Sequence, residues 1–558
     1  MRFIILVLLF MFTGSVKGFL FTPSSVVNVA IDCGQIRGFY NGSSGAYSFL
    51  GIPYASPPVG RLRWMPPVPV NASNGNCWNG VYEATSFTSP CIQRNSSDVD
   101  NSGSFIGSED CLHLNVWSPS LDTTAILPVM FWIYGGSLTN GRADAGDHGY
   151  GPTAEMARDH NVVYVSLNYR LNAFGFMSLD MLRAGSPTNT SGNYGFMDML
   201  TGLQWVQNNI RQFGGDPNQV TIFGQSSGGT AVFALLGSPL SRGLFHKAWM
   251  SSASPIMNKT AEDANSDNQA FVRKSGCADV GCLYNLTPAE IIASLPWKEF
   301  PYWGMDDLGD FPTKGRFDGA LAVVDGYVLP KSPLEAFAEG EGVDVPVLIA
   351  QEVDIEHPSA NWTWGDNNYR EHVRDKLNPF GTVIAETALQ LYPANKSTPE
   401  FQITSMISDC RAVCGNDYLG VILSAAVASP VYRYVAAYIP SGPARPFGGA
   451  VEASNAFHGI DILAYFNATR LMLTHVTDAD RQWEINIQQE VLAFVRTGSP
   501  HTYDWGMFPS QTALLTENTT VTAGYHTAEC LFWLRNGFFS YSTHCCTSVL
   551  NSSSKGQK

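Results

Sequence analysis

The sequence predicts an α/β fold built on a large, mostly parallel central sheet with helices covering both faces, and three observations predict it. Short apolar runs rich in β-branched and aromatic residues alternate with stretches of helical periodicity. One such run leads directly into a glycine-flanked serine turn followed by small apolar residues. The 558-residue chain is 45% hydrophobic and 15% charged, a balance that can bury a large core and excludes an intrinsically disordered chain. Its 33 Lys+Arg against 48 Asp+Glu leave a net charge of −15. That charge repels phosphate backbones, so no nucleic-acid partner is expected. The length suits one large α/β unit with long insertions or several small domains. No internal repeat or low-complexity tract divides it.

In chain order, residues 3–12 are an apolar run after Met1 and Arg2, followed by the small and polar residues Thr13 to Gly18. A bilayer-spanning helix needs roughly 20 apolar residues. The segment therefore reads as a secretory signal peptide over 1–18. The last residues, 547–558, form a short polar tail with neither an anchor-attachment nor a retention signal, and no membrane anchor is expected. Eleven Asn-x-Ser/Thr sequons and eleven cysteines agree with a secreted, extracellular glycoprotein held by disulfides. The cysteines show no zinc-finger spacing, and no metal or cofactor motif occurs: Walker A, G-x-G-x-x-G after a strand and H-E-x-x-H are all missing.

Leu127–Tyr134 and Asn161–Asn168 read as buried strands, as do Gln219–Phe223 and Pro346–Ile349. Gly195–Arg211 places Phe196, Leu200, Leu203, Val206 and Ile210 at helical spacing and reads as an amphipathic helix. Directly after the strand at 219–223 comes Gly224-Gln225-Ser226-Ser227-Gly228-Gly229, then an apolar stretch (Thr230–Leu236) that should be helical. A strained strand-to-helix turn lifts a serine hydroxyl above the sheet edge, and glycines on either side remove side chains that would collide. The N-terminus of the following helix favours negative charge beside that hydroxyl. Ser226 is the candidate nucleophile.

Trp205 to Gly229 resembles the signature of the type-B carboxylesterase/cholinesterase family. So do Phe49 to Ala55, Glu109 to Leu112 with Leu114 to Val116, Asn168 to Leu171 with Phe174 to Phe176, and Val324 to Gly326. The segments stand in the family's order along nearly the whole mature chain. The resemblance implies one α/β-hydrolase domain over 19–546 and a Ser/acid/His triad. His458, in the His-Gly pair 458–459, matches the family's histidine and would take the Ser226 proton and return it to the leaving alcohol. For the acid, Glu352, Asp354 and Glu356 stand near the expected place. Glu352 is the choice, because the text Ala350 to Asp354 is similar to a family variant whose acid follows Gln. The resemblance puts the oxyanion-hole N–H groups on Gly136, Ser137 and Ser227, with Ser137 standing where the family usually has a third glycine. It also implies the disulfides Cys33–Cys77, Cys91–Cys111 and Cys277–Cys282. Cys410–Cys414 and a bond from Cys530 to Cys545 or Cys546 would use most of the rest.

Two departures argue against choline esters. The Cys91–Cys111 loop holds no Trp to stack on a quaternary ammonium, and Gln225 replaces the Glu that cholinesterases carry before the nucleophile. The expectation is a secreted serine carboxylic-ester hydrolase acting through an acyl-enzyme on a small, uncharged, apolar ester, with no cofactor. The alternatives are a catalytically silent extracellular binding or adhesion protein, or a storage or hormone-precursor domain on the same fold. The sequence fixes no oligomeric state.

Overall fold

Among the described residues thirteen strands form one sheet. From Val163–Leu167 the order runs through Leu127–Ile133, Gly215–Gln225, Lys247–Ser251, Val347–Glu352, Val431–Ala436 and Thr512–Leu515, and every neighbouring pair is parallel. Antiparallel strands flank this centre: His113–Ser118 with the N-terminal meander on one side, Thr519–Thr522 on the other. The computed structural model describes residues 25–95, 103–296, 299–300, 310–315, 321–352, 365–446, 453 and 455–542. The expected signal segment and polar tail lie outside the described residues.

The central strands are buried along nearly their full length. This is what parallel strands covered on both faces require, and it is why they read as unbroken apolar runs. The expected strands at 127–134 and 161–168 are found as Leu127–Ile133 and Val163–Leu167, and the expected helix at 195–211 as Tyr194–Asn209 closed by a 3₁₀ turn. The strands at 219–223 and 346–349 extend further, to Gly215–Gln225 and Val347–Glu352. In the second case the ladder with Val431–Ala436 carries the polar pair Gln351 and Glu352 into the sheet, paired with Val435 and Ala436. The helix after the serine begins at Ser227, and all eleven of its residues are buried. A helix apolar all round is one enclosed by protein.

A second apolar cluster lies apart from the sheet core, where Asp366–Leu377, Thr382–Leu391 and Pro399–Ser408 pack with Thr527–Arg535 around Tyr369, Met406 and Trp533. Cys33–Cys77, Cys91–Cys111 and Cys277–Cys282 are bonded, and a fourth disulfide joins Cys414 to Cys530. This last bond replaces both the expected Cys410–Cys414 pair and the expected bond from Cys530 to Cys545 or Cys546. Residues four apart on one helical run have side chains tilted the same way, whereas a disulfide needs Cβ atoms that face each other. Cys530, on a different helix, faces Cys414, and Cys410 remains a buried thiol. Cys545 and Cys546 lie outside the described residues. Among the described residues no helix is long and apolar enough to cross a membrane.

Candidate active site

The strand Gly215–Gln225 ends at a turn in which Ser226 has φ 60° and ψ −128°, and the helix Ser227–Gly237 starts at the next residue. A non-glycine residue held there is strained by roughly 1–3 kcal/mol, and only over-determining contacts keep it. Those contacts are present. The Ser226 N–H donates to the Ser251 carbonyl at 2.9 Å, and the Ser226 carbonyl accepts the Thr230 N–H at 2.9 Å. The flanking glycines are needed for space, not for their own φ. A Cβ on Gly224 would lie 2.4 Å from the Gly228 backbone, one on Gly228 2.1 Å from the Ile133 carbonyl oxygen, and one on Gly229 2.4 Å from the Ser251 carbonyl oxygen. The turn closes because three backbones pass with no side chain between them.

His458 and Gly459 precede the short helix Ile460–Tyr465, and Gly459 takes a left-handed φ of 85° that favours glycine. His458 is buried. Its Nδ1 lies 3.5 Å from Glu352 Oε2, and Glu352 is the last residue of its strand. Both oxygens of that carboxylate are engaged: Oε1 accepts the Gly459 N–H at 2.8 Å and Oε2 accepts the Ser252 hydroxyl. The imidazole also meets the residue beside Ser226. Gln225 Nε2 stands 2.9 Å from His458 Nε2 and 3.3 Å from Nδ1, while Gln225 Oε1 accepts the Tyr150 hydroxyl at 2.6 Å. Tyr150 thereby fixes which end of the amide faces the ring. The amide nitrogen lies against both ring nitrogens, and the Nδ1 edge of the ring is the one that faces the Glu352 carboxylate.

The loop Gly135-Gly136-Ser137-Leu138 follows the strand Leu127–Ile133 and lies against the turn, since a Cβ on Gly135 would sit 2.9 Å from Ser226 Cβ. The Gly135 N–H is taken by the Tyr150 hydroxyl oxygen at 3.1 Å. Among the described residues, the N–H groups of Gly136, Ser137 and Ser227 donate to no protein atom. Ser137 and Leu138 both have positive φ, 58° and 60°. The Ser137 hydroxyl is buried without a hydrogen-bond partner.

Ser226, Glu352 and His458 thus come from the ends of three strand–loop units gathered at one edge of the sheet, where α/β folds collect ligands. Asp354 and Glu356 lie outside the described residues. A second carboxylate near the site escaped the sequence reading. Asp461 is fully buried; it accepts the Tyr434 hydroxyl at 2.7 Å, the Ser251 hydroxyl at 2.9 Å and the Ile462 N–H at 2.7 Å. Burial first, and the neighbouring Glu352 charge second, push its carboxyl up to about 7. Burial and the Asp461 charge hold the Tyr434 phenol well above its usual value, so it remains a donor. The one signal in the sequence was the spacing His-Gly-x-Asp, which puts a carboxylate on the first turn of the helix after His458.

A model of the carboxylesterase family matches residues 24–533. The chain is similar to fumonisin B1 esterase of Sphingopyxis macrogoltabida, 36% identical over 409 residues that cover 72% of this chain and 69% of that protein. It is similar to para-nitrobenzyl esterase of Bacillus subtilis (strain 168), 30% identical over 500 residues covering 87% and 93%. Among solved structures, PNB esterase superposes with a TM-score of 0.72 at 28% identity, covering 91% of this chain and 99% of that one.

Proposed function

The chain belongs to the carboxylesterase family and is a carboxylesterase-type hydrolase, and from that premise we propose that it cleaves uncharged, apolar carboxylic esters through an acyl-enzyme on Ser226. The observation that carries this reading is the buried Glu352–His458 pair set against the turn that holds Ser226. His458 Nε2 takes the proton of the Ser226 hydroxyl as the oxygen attacks the ester carbonyl. The carbonyl oxygen gains negative charge and is received by the unengaged N–H groups of Gly136, Ser137 and Ser227. His458 then returns the proton to the departing alkoxide, so an alcohol leaves and Ser226 carries the acyl group. Water, deprotonated by the same nitrogen, attacks the acyl carbon; the proton goes back to Ser226 and a carboxylic acid is released. Glu352 holds the ring and balances the imidazolium. No cofactor enters the cycle.

An amide, not a carboxylate, stands beside the nucleophile in Gln225, which favours a neutral substrate over a cationic one. For secretion as a glycoprotein, the support is that none of the nine described sequon asparagines is buried; Asn189, Asn258, Asn285, Asn395, Asn467 and Asn518 are exposed. The test is to express the chain from cells, collect the medium and treat it with a fluorophosphonate probe. Labelling at Ser226, hydrolysis of p-nitrophenyl butyrate over butyrylcholine, and a mobility shift with endoglycosidase are expected. A chain that is neither labelled nor active on an ester panel would refute the catalytic reading.

A further inference from the structure

The oxyanion loop carries a burden that two of its residues create. Gly136 has φ 115°, a conformation that suits glycine, but Ser137 and Leu138 hold left-handed φ values of 58° and 60° in succession. Each such residue costs on the order of 1 kcal/mol, so the loop left to itself would relieve both by rotating its peptide planes. Rotation would re-aim the Ser137 N–H, which donates to no protein atom among the described residues. Something must hold the loop, and the contacts at Leu138 show what does. Its carbonyl accepts the Asn172 N–H at 2.7 Å, its side chain is buried, and its N–H donates to Ser227 Oγ at 3.0 Å.

We propose that the Ser227 hydroxyl is a positioning group that clamps the oxyanion loop against the nucleophile turn, compensating for the missing third glycine at Ser137. This rests on the esterase reading above and deepens it. Ser227 is the first residue of its helix, where a serine side chain ordinarily caps its own first turn or meets water. Here the residue is buried, and its oxygen instead accepts an N–H 89 residues earlier in the chain. One residue therefore fixes both walls of the hole. Its main-chain N–H forms one side, and its side chain holds the peptide that adjoins the other, so the spacing between donors is set within a single residue. The Cβ that glycine would lack at 137 and the Oγ that alanine would lack at 227 are two halves of one arrangement.

The clamp acts on transition-state donors, so its loss should lower kcat and spare KM. Removing a whole oxyanion donor costs about 10²–10³ in kcat, and a donor displaced but not removed should cost less. Ser227→Ala, in the full secreted chain, should lose roughly ten- to hundredfold in kcat on p-nitrophenyl butyrate. Its KM should stay within about twofold, and its affinity for a trifluoromethyl ketone, which binds as the tetrahedral adduct, should fall in step with kcat/KM. Fluorophosphonate titration and the thermal midpoint would establish that the active sites counted are folded. The deciding comparison is a double-mutant cycle. With Ser137→Gly in place only Leu138 keeps a left-handed φ, so the loop depends less on being held, and Ser227→Ala should then cost clearly less than it does with serine at 137. Ser227→Cys, which keeps the shape and weakens the acceptor, covers the case in which the alanine variant does not fold; its kcat should fall by at least about fivefold.

An unchanged kcat in a folded Ser227→Ala or Ser227→Cys protein would overturn the clamp. So would an equal loss with serine and with glycine at 137, which would show that Ser227 acts independently of that substitution. A wild-type chain inactive toward both esters and probe would instead overturn the esterase reading, a result distinguishable because it precedes any comparison of variants.

Discussion

The half of the site proposed to carry the nucleophile and the half proposed to carry the acid and the histidine are built by different means. Around Ser226 the geometry comes from contacts at the level of the backbone: Gly224, Gly228 and Gly229 bring the turn, the loop strand and the Lys247–Ser251 strand to distances no Cβ allows. On the other side, the Gly459 N–H reaches Glu352 across 107 residues and the Gln225 amide reaches His458 across 233. That half is held largely by side chains: Ser252 and Gln225 reach Glu352 and His458, Tyr150 holds Gln225, and Tyr434 holds the neighbouring Asp461. A turn specified by absent side chains fails completely when one is added, whereas a network of hydrogen bonds loses function in steps. The two halves should therefore break differently.

The largest expected effect lies at the nucleophile. Ser226→Ala should remove about 10⁶ in kcat, as loss of a triad nucleophile does, while the protein still folds, because the turn is held by its main chain. Comparable turnover of p-nitrophenyl butyrate by wild type and variant would break the assignment. At Gly228, by contrast, adding a methyl should destroy the fold before it alters chemistry. Its Cβ would sit 2.1 Å from the Ile133 carbonyl oxygen, so Gly228→Ala should yield little or no folded protein, measured by purified yield relative to wild type. A well-folded Gly228→Ala with normal activity would show that the turn is less constrained than its contacts imply.

On the other half, Glu352→Gln should retain folding and lose roughly three to four orders of magnitude in kcat, by analogy with neutralising a triad Asp. Both oxygens of Glu352 accept hydrogen bonds, from the Gly459 N–H and the Ser252 hydroxyl. A glutamine must turn its own donor toward one of these or toward the imidazole, which it would drive into the wrong tautomer. Asp354→Asn and Glu356→Gln should each stay within about tenfold of wild type, the behaviour of carboxylates outside a triad. If either of them matches the loss at Glu352, the acid must be reassigned.

The same contrast explains what could be read from the sequence. The strand–serine–helix unit is local: twelve or so residues state it, because the glycines that the packing demands are adjacent to the serine they serve. His458 was legible through the glycine after it, whose φ of 85° only that residue takes comfortably. Glu352 was chosen from three neighbouring carboxylates, but the strand that carries it was read as ending at Ile349, because hydropathy stops there while the ladder continues through polar Gln351 and Glu352. Asp461, Ser251, Ser252 and Tyr434 left no pattern, because their meaning arises when separate strand ends meet. The Cys414–Cys530 bond was hidden for the same reason: nearness in sequence favoured Cys410, while helical geometry forbids that pairing and the tertiary fold supplies a partner 116 residues away.

The smallest effect, and the one that sharpens the comparison most, concerns Asp461. It is the acid–histidine half's second carboxylate, and burial together with the Glu352 charge pushes it up to about 7 from 3.8. In the unfolded chain it ionises near 3.8, so between that value and about 7 the folded protein retains a proton that the unfolded chain has released. Stability must then fall as pH rises through this window, by up to roughly 1.4 kcal/mol per pH unit for one proton, and level off above it. Below about 4 both states are protonated and the contribution is whole. Asp461→Asn keeps an acceptor for Tyr434 or Ser251 and has no proton to lose. Measured by urea midpoints from pH 4.5 to 8.5, the variant should gain on wild type steadily up to neutrality, with the difference constant beyond it. Ser226→Ala, on the other half, should run parallel to wild type across the whole range, since it alters no titrating group. Parallel curves for Asp461→Asn as well would mean that the Tyr434, Ser251 and Ile462 donors hold the carboxylate ionised in the fold at all these pH values. The two carboxylates behind His458 would then both be charged, and the Glu352 side of the site would be held together against a repulsion that the nucleophile side never meets.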